Sequence, residues 1–430
     1  MQLTPAPRPS ALRARLGAAA CLLLASASGA RAQTADTTAN VFEASGLVYG
    51  EKDRTVVVEP TAKISHLFSN RQMLSAQLGL DVMTGASPTG AIASSQVQTV
   101  TSASGGSSST TKSQLPTATF SDLRGVLDLG WQSPLGRFAR SDAGGHVSRE
   151  KDYRSLGFSE RVSLDLLQRR TTLSLGGGYN RDEVLPVGGT PLGLSPTRII
   201  VSDSPQPKDV AFGTVGLSQI VTRRWMVALD GARTRETGYL TEPYKIVSLV
   251  TPDSLVAVGQ VTEKRPEQRW RNSVTGSSVY HFQENVLYLS YRYYWDDWSV
   301  HSHTVDLRYR YELPDLSFLQ PHVRFYTQTQ ASFFTFGLPN GAPLPEFATA
   351  DQRLGPLRSF TLGGTYGVHI PNHPGELTIR AEWIHQWGNG PMLNGPPVSG
   401  GEETEGGPQQ FSLFPPLDIG TLVVGYTLGF

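Results

Sequence analysis

The sequence predicts an all-β protein, a transmembrane antiparallel up-and-down β-barrel of about 16 strands with short periplasmic turns and long extracellular loops. Three observations favour this fold class. The chain begins with an export signal, many of its segments alternate apolar and polar residues with a period of two, and its last strand ends on an aromatic residue. Barrels of bacterial outer membranes show this pattern because only the outer face of each strand must be apolar.

Residues 1–32 are organised as a cleavable secretory signal peptide. A basic start with three arginines precedes the short apolar core 16–24, and small residues then lead to an A-x-A pattern that ends at Ala32. The apolar core is about half as long as a membrane-spanning helix requires, which argues against an N-terminal anchor. Lipidation at Cys21 is the weaker alternative, since apolar residues continue past it.

Cleavage would leave residues 33–430 as one barrel domain and would change its chemistry. The only cysteine would be lost, so the exported chain could form no disulfide. Four arginines and no acids would leave with the signal, which takes the formal net charge from 0 to −4. No basic excess remains to bind nucleic acid, and no pattern in the sequence calls for a cofactor.

The final segment, 417–430, gives the most specific strand pattern. It reads "LDIGTLVVGYTLGF", in which apolar or aromatic residues occupy every second position up to Phe430. Tyr426, Leu428 and Phe430 resemble the C-terminal signature of proteins that the bacterial barrel-assembly machinery inserts. The expected location is therefore the bacterial outer membrane, with lipid and that machinery as partners.

Sixteen segments of the chain are predicted strands. In 71–83, for example, Leu74, Leu78 and Leu80 share one face, while Gln77 and Asp81 share the other. The predicted strands are 41–50, 54–66, 71–83, 122–131, 137–148, 154–167, 171–182, 210–221, 225–237, 270–283, 286–298, 301–313, 321–335, 357–370, 377–388 and 417–430.

The connections between these segments alternate in length, as short inner turns and long outer loops require. The long ones carry the Pro, Gly and Ser residues, and the Ser-rich stretch 93–114 has no means of burying a core. All long loops lie on one side only if the weakly alternating segment 137–148 is a strand. Including it gives 16 strands. Without it, and with 41–50 as a tail or plug, the count is 14.

Several motifs resemble those of the DUF3570 family, a bacterial outer-membrane-type family of unknown function. They are "DVMTGASPTGA" (81–91), "SREKDYRS" (148–155), "GYLTEPYK" (238–245), "YRYYWDDWSVHSHT" (291–304) and "RFYTQTQASFF" (324–334). The resemblance extends over nearly all of the exported chain. It implies a barrel in the cell envelope, and it implies no activity, substrate or catalytic residue.

The stretch 292–304 admits two interpretations. Carboxylates and imidazoles this close could hold a divalent metal, and the candidate ligands are His301, His303 and Asp297. The dense aromatics instead favour a hairpin at the membrane boundary, where amphipathic rings are enriched. The predicted membrane-interface aromatics are Tyr293, Trp295, Trp298, Tyr309 and Tyr311.

Charged residues on the polar faces of neighbouring strands are predicted to point into the lumen, because charges facing lipid are costly. Rows of arginine and acid could select solutes in a pore, or they could fill and stabilise a closed barrel. The candidate lumen-lining residues are Arg292, Asp296, Asp306, Arg308, Arg310, Glu312, Arg324, Gln328 and Gln330.

Two loop motifs and the lack of enzyme patterns complete the prediction. "SREKDYRS" is interpreted as a solvated, charge-paired loop or as a ligand-recognition loop at the outer mouth, and "GYLTEPYK" as a packed outer loop. No G-x-S-x-G, H-E-x-x-H or P-loop pattern occurs, so an enzyme is not expected. A porin-like channel for small polar or charged solutes is the first functional hypothesis. A closed structural barrel and a rim-located metal-binding or hydrolytic protein are the alternatives.

Overall fold

A computed structural model describes residues 39–92, 98–101, 107–110, 116–195, 199–252, 256–315, 317–370, 374–394 and 410–430. The predicted signal peptide 1–32, with Cys21, lies outside this part of the chain. Within the described ranges, no helix combines the length and the hydropathy that crossing a membrane would demand.

Sixteen antiparallel strands form one closed barrel, as predicted. The strand alternation explains why, because residues of one parity are apolar and exposed while residues of the other are small, polar or charged. In chain order the strands β1 to β16 are Ala39–Glu51, Thr55–Leu67, Met73–Pro88, Thr117–Leu135, Ala139–Arg149, Tyr153–Leu166, Thr171–Val184, Gln206–Thr222, Trp225–Gly238, Gln268–Phe282, Asn285–Asp296, His301–Glu312, Phe318–Gln328, Leu357–His369, Gly375–Gly388 and Leu417–Gly429.

Each strand pairs with its neighbours in sequence, and β1 closes the wall by pairing with β16. Val41 lies opposite Gly429 in this register. The backbone N–H of Asn40 donates to the carbonyl of Phe430 at 2.8 Å, and the reverse bond measures 2.9 Å. With no open sheet edge, all wall strands have partners on both sides.

The two ends of the barrel differ. At one end, here the turn end, seven connections of two to five residues join the strands. At the other, the loop end, five connections contain 21 to 29 residues and three contain three or four. All five long connections lie at the same end, as predicted if the poorly alternating segment 137–148 is a strand. That strand is present as β5, Ala139–Arg149, and the prediction is confirmed.

Two predicted strands are too long. The segment 286–298 ends as a strand at Asp296, and the segment 321–335 ends at Gln328. In both cases the aromatic residues that extended the pattern belong to packed loops rather than to the wall. The error arises because an aromatic-rich loop core looks apolar in the same way as a strand face.

The outer face of the wall is apolar. Leu78, Phe158 and Leu175 are 61%, 63% and 68% exposed, and most other large exposed apolar residues share their parity on the strands. A surface of this kind suits hydrocarbon and would be costly in water. Glu160 is a departure, because it is exposed on the same face of β6 as Phe158 and accepts a hydrogen bond from the Ser141 hydroxyl at 2.5 Å.

The buried apolar cores lie in the loops. Residues 239–252, 256–267 and 329–356, here called the cap, include a three-stranded sheet made of Ile246–Val250, Ala257–Thr262 and Leu338–Pro339. Val247 and Val261 are almost fully buried in one cluster of the cap, and in another the cap residues Ala331 and Leu354 pack against Trp298 of the turn between β11 and β12. The cap is therefore a packed structure with cores of its own.

The remaining short elements are also in the connections between wall strands. Three pairs of short strands are formed by Gln98–Thr101 with Ser107–Thr110, by Thr190–Pro191 with Ile200–Ser202, and by Met392–Asn394 with Gln410–Ser412, and the first pair lies inside the Ser-rich stretch 93–114. The two short 3-10 helices are Leu167–Arg169 and Gln352–Leu354.

The cap is bonded to several sides of the barrel mouth. The Tyr244 hydroxyl donates to Asp152 in the turn between β5 and β6 at 2.9 Å. The backbone N–H of Ile246 donates to the carbonyl of Thr89, which follows β3, at 2.9 Å. Residues 329–356 of the cap connect β13 to β14, which lie across the barrel from Thr89 and Asp152. The cap therefore extends across the mouth.

Candidate functional site

A charged chamber lies between the cap and the inner wall at the loop end. Its volume is about 720 Å³. Wall strands β3, β4 and β6 to β10, together with the turn between β5 and β6, supply one part of the lining, and the cap with Trp298 supplies the rest. The charged lining residues are Asp122, Arg124, Glu150, Asp152, Lys208, Glu236, Glu242, Arg265, Arg269, Arg271, Asp351 and Arg353.

One side of the chamber is acidic. Asp122, Glu150 and Asp152 each place a carboxylate oxygen within 4.8 Å of the other two, and in the described part of the chain they form the one group of three side chains spaced for a metal ion. Arg124 partly neutralises them, with its Nε 3.4 Å from an oxygen of Glu150.

Burial changes the titration of this acidic side. Desolvation raises the pKa of Glu150 to about 7, with the Arg124 guanidinium opposing the shift. Desolvation also raises the pKa of Asp152, although the hydrogen bond from Tyr244 opposes it. The negative charge of this side therefore changes near neutral pH.

The opposite side, formed by the cap, carries paired arginines. The Arg265 Nη2 lies 2.9 Å from an oxygen of Asp351 and 3.2 Å from one of Glu263. Arg353 donates to Asp351 at 2.7 Å and to Glu242 at 3.3 Å. Burial alone would raise the pKa of Asp351, but Arg353, with Lys245 and Arg265, holds it well below its usual range.

Two wall arginines of β10, Arg269 and Arg271, extend this side. Arg269 donates twice to one oxygen of Asp296, at 2.5 and 3.0 Å, and its guanidinium lies 4.3 Å from the ring centre of Trp298. Asp296 also accepts from the backbone N–H of Val300 at 2.9 Å and from the Tyr294 hydroxyl at 2.7 Å. Both carboxylate oxygens of the buried Asp296 therefore accept hydrogen bonds, and they hold Arg269 in place at the chamber wall.

Below the chamber, the lumen holds a histidine between two acids. His322 contacts Asp306 through Nε2 at 2.8 Å and Glu382 through Nδ1 at 2.9 Å. Arg308 donates to the same Asp306 at 2.9 Å. The sequence predicted Asp306 and Arg308 as lumen residues but missed His322, whose two partners come from two other strands, β12 and β15.

Charges are distributed unevenly around the inner wall. Acids outnumber basic residues on the inward positions of β1 to β9, and arginines outnumber acids on those of β10 to β15. The acids of the first group include Glu43, Glu59, Asp81, Asp128, Asp142, Asp165 and Asp230, and the arginines of the second are Arg269, Arg271, Arg292, Arg308, Arg310, Arg324 and Arg380.

The profile of the family described as "Protein of unknown function (DUF3570)" matches residues 13–404. The chain belongs to this family. No curated protein matches it. This DUF3570 barrel is therefore assigned by its family and its fold.

Solved barrels resemble this DUF3570 chain at low identity. The outer membrane protein OpdK from Pseudomonas aeruginosa is 9% identical, with 92% of this chain and 100% of that chain covered and a TM-score of 0.40. A mutant of the ferric enterobactin receptor PfeA from the same organism is 10% identical, with 92% of this chain and 60% of that chain covered and a TM-score of 0.41. The TodX deltaS2S3 mutant monoaromatic hydrocarbon channel is 11% identical, with 92% and 91% covered and a TM-score of 0.37.

Most of the predicted lumen residues occupy inward positions of β11, β12 and β13. Arg292 and Arg324 are exposed there, while Arg310 pairs with Glu312 at 2.5 Å. Gln328 donates to the carbonyls of Arg353 and Gly355, at 3.0 and 2.7 Å, and so ties the wall to the cap.

Two predicted positions are wrong. Gln330 follows the end of β13 and lines a groove on the outside of the wall rather than the lumen. Trp298 is 4% exposed and packs against Ala331 and Leu354 of the cap, so it is not at the membrane interface. The alternation stops at Asp296, and the turn that follows, with Ser299 at a φ of 70°, directs Trp298 inward.

The other predicted interface aromatics are on the wall. Tyr293 and Trp295 stack on the outer face near the loop end, with ring centres 5.4 Å apart. Tyr309 and Tyr311 lie on β12 near the turn end, and Tyr311 is 47% exposed. The two pairs therefore mark the two ends of the apolar band.

Of the predicted metal ligands, the two histidines lie side by side but Asp297 does not join them. His301 and His303 are exposed on the outer face, where their Nδ1 atoms bond to the hydroxyls of Tyr293 and Tyr291 at 3.0 and 2.7 Å. Asp297 instead accepts the backbone N–H of Trp270 at 2.9 Å. The acids of the chamber, Glu150 and Asp152, come from the motif "SREKDYRS", which the sequence could not distinguish from a solvated loop.

Proposed function

We propose that this protein is a bacterial outer-membrane channel for small polar or charged solutes, in which the cap controls passage. The observation that carries the proposal is the chamber of about 720 Å³ that lies between the cap and a wall of charged side chains. The apolar outer face of the closed wall, together with the predicted export signal and final-strand signature, supports the location.

The inner charges support solute selection. A solute in the chamber meets Asp122, Glu150 and Asp152 on one side and the arginines of the cap and β10 on the other. Because the arginines of the cap and β10 are paired with acids, the field that would orient a dipolar solute comes from the uneven distribution of acids and arginines around the inner wall. The exposed Arg292 and Arg324 continue the positive side deeper into the lumen.

The cap is the element that would control the passage of solutes through the barrel. It crosses the mouth and is bonded to the turn at Asp152 and to Thr89 beyond β3. Solute would pass when some of these bonds open, and a set of loops held by a few polar contacts is the kind of element that has two arrangements.

A closed barrel is the second candidate. The buried ion pairs of Arg265 with Glu263 and Asp351 favour it, because they lock two segments of the cap together. In that case the inner charges would only stabilise the wall.

A disulfide that locks the cap separates the candidates. Thr89 and Ile246 are joined by a backbone hydrogen bond, and the exported chain would have no cysteine, so Thr89→Cys with Ile246→Cys adds one reversible link. In planar bilayers we expect ionic current from the reduced protein, loss of current on oxidation and recovery with reductant. The single variant Ile246→Cys is the control.

Two results would contradict the proposal. A folded, inserted wild-type barrel that passes no current would leave the closed barrel as the function. Current that is equal in the oxidised and reduced double variant would show that solutes pass without movement of the cap.

A further inference from the structure

A groove on the outer face of the wall lies near the loop end, apart from the chamber. Its volume is about 380 Å³, and its lining includes His301, His303, Thr327 and Arg358. The β-strand register explains its shape, because His303 pairs with Thr327 and Thr327 with Arg358 on three adjacent strands. Strands are about 4.8 Å apart, so the two long side chains stand roughly 10 Å apart over the short Thr327.

The groove presents hydrogen-bond donors. The Nδ1 atoms of His301 and His303 are occupied by Tyr293 and Tyr291, which leaves both Nε2 atoms available. Arg358 is exposed and forms no ion pair with any residue that the structure describes. The described lining residues include no carboxylate. Imidazole N–H groups with an uncompensated guanidinium bind an anion, whereas a metal cation would be repelled by the arginine.

The depth of the groove matches a lipid headgroup. One step further from the loop end, the outward positions on the same strands are Val305, Phe325 and Phe360. The stacked rings of Tyr293 and Trp295 flank the histidines on β11. The donors thus lie directly above the apolar band, in the layer where amphipathic rings and lipid headgroups meet.

We propose that this groove binds the phosphate of an anionic lipid in the outer leaflet, with Arg358 and the two histidines as donors. The orientation rests on the proposed membrane location, but the binding does not depend on channel activity. A bidentate guanidinium contact to phosphate would fix the headgroup, and its acyl chains would lie along Val305 and Phe325.

Binding of phosphatidylglycerol in mixed detergent micelles, measured by native mass spectrometry on the purified barrel, tests the proposal. We expect Arg358→Gln to weaken binding about tenfold, which is the effect of losing one charge-assisted contact. Thr327→Phe, which fills the groove and keeps its charge, should weaken binding similarly. Arg154→Gln is the matched control, because Arg154 is exposed near the loop end of β6 but lies 3.7 Å from Glu183.

The outcomes are distinct. Equal lipid binding by wild type, Arg358→Gln and Thr327→Phe would overturn the proposal, as would equal loss in Arg154→Gln. Inorganic phosphate that binds as tightly as the lipid and displaces it would assign the groove to a free anion. Zinc binding that requires both histidines would assign it to a cation. Heat-modifiable migration on gels confirms that each variant is folded.

Discussion

Changing Asp351 to Asn should destabilise the closed cap with little change in shape. Asp351 is 3% exposed and receives hydrogen bonds from Arg265 and Arg353. Its side chain also caps the short helix Gln352–Leu354 by accepting the Arg353 N–H at 3.1 Å. The side-chain oxygen of asparagine can still accept the hydrogen bond from the Arg353 N–H at the start of this helix, so the substitution removes mainly the negative charge.

The magnitude follows from the burial of the pair. Removing one partner of a buried ion pair costs about 3–5 kcal/mol. Arg353 is 67% exposed and asparagine retains hydrogen bonds, so the cost should be smaller here. We expect Asp351→Asn to destabilise the closed arrangement of the cap by about 2–3 kcal/mol. If the open cap exposes these groups, the ratio of closed to open channels falls by about 30- to 150-fold.

The open probability of single channels in planar bilayers measures this ratio. We expect it to rise in Asp351→Asn, with faster trypsin cleavage after the buried cap residue Lys245. Asp315→Asn is the control, because this carboxylate binds the Ser317 hydroxyl at the turn end. Unchanged open probability, together with faster cleavage in the cap, would refute the idea that the cap limits passage.

Four further predictions concern the wall and the chamber. Glu150, whose pKa burial raises to about 7, loses its proton as the pH rises, so the cation-to-anion permeability ratio should increase between about pH 6 and pH 8, and a flat wild-type profile or an unchanged one in Glu150→Gln would contradict this. Glu160→Leu should raise the free energy of unfolding in lipid by about 1 kcal/mol, because it removes a carboxylate facing hydrocarbon, and denaturant titration would show a decrease if Glu160 faces a protein partner instead. His322→Ala should lower that free energy by about 2 kcal/mol by leaving Asp306 facing another acid, with His322→Gln less affected, and equal stability of the two variants would argue against the bridge. Phe430→Ala should reduce the folded, heat-modifiable fraction in outer membranes several-fold, and normal assembly would remove its proposed role as a recognition residue.

The fold was predictable because alternation is a local property of the chain. In 71–83 and 301–313, residues of one parity are apolar, and each pattern identifies a strand and its outer face without any partner. Even the strand at 139–149 could be inferred, although its own alternation is weak, because antiparallel neighbours force each connection to a known end.

The chamber could not be predicted in the same way. Asp122, Asp152 and Asp351 come from three connections or strands far apart in sequence, and only the folded cap brings them to one cavity. Trp298 was misplaced for the same reason, since an aromatic residue in a packed loop and one in a membrane girdle look alike in sequence. His322 gave no sequence pattern, because its two acids lie on strands before and after it.

The register between β1 and β16 has a consequence for the order of biogenesis. All other wall pairings join strands that are consecutive along the wall and close in sequence, whereas Val41 and Gly429 are separated by most of the chain. Pairing at such a distance has the largest entropic cost and forms last. Until β1 and β16 pair, the barrel is an open, curved sheet with two unsatisfied edges. During that interval its survival depends on whatever shields those edges from other chains.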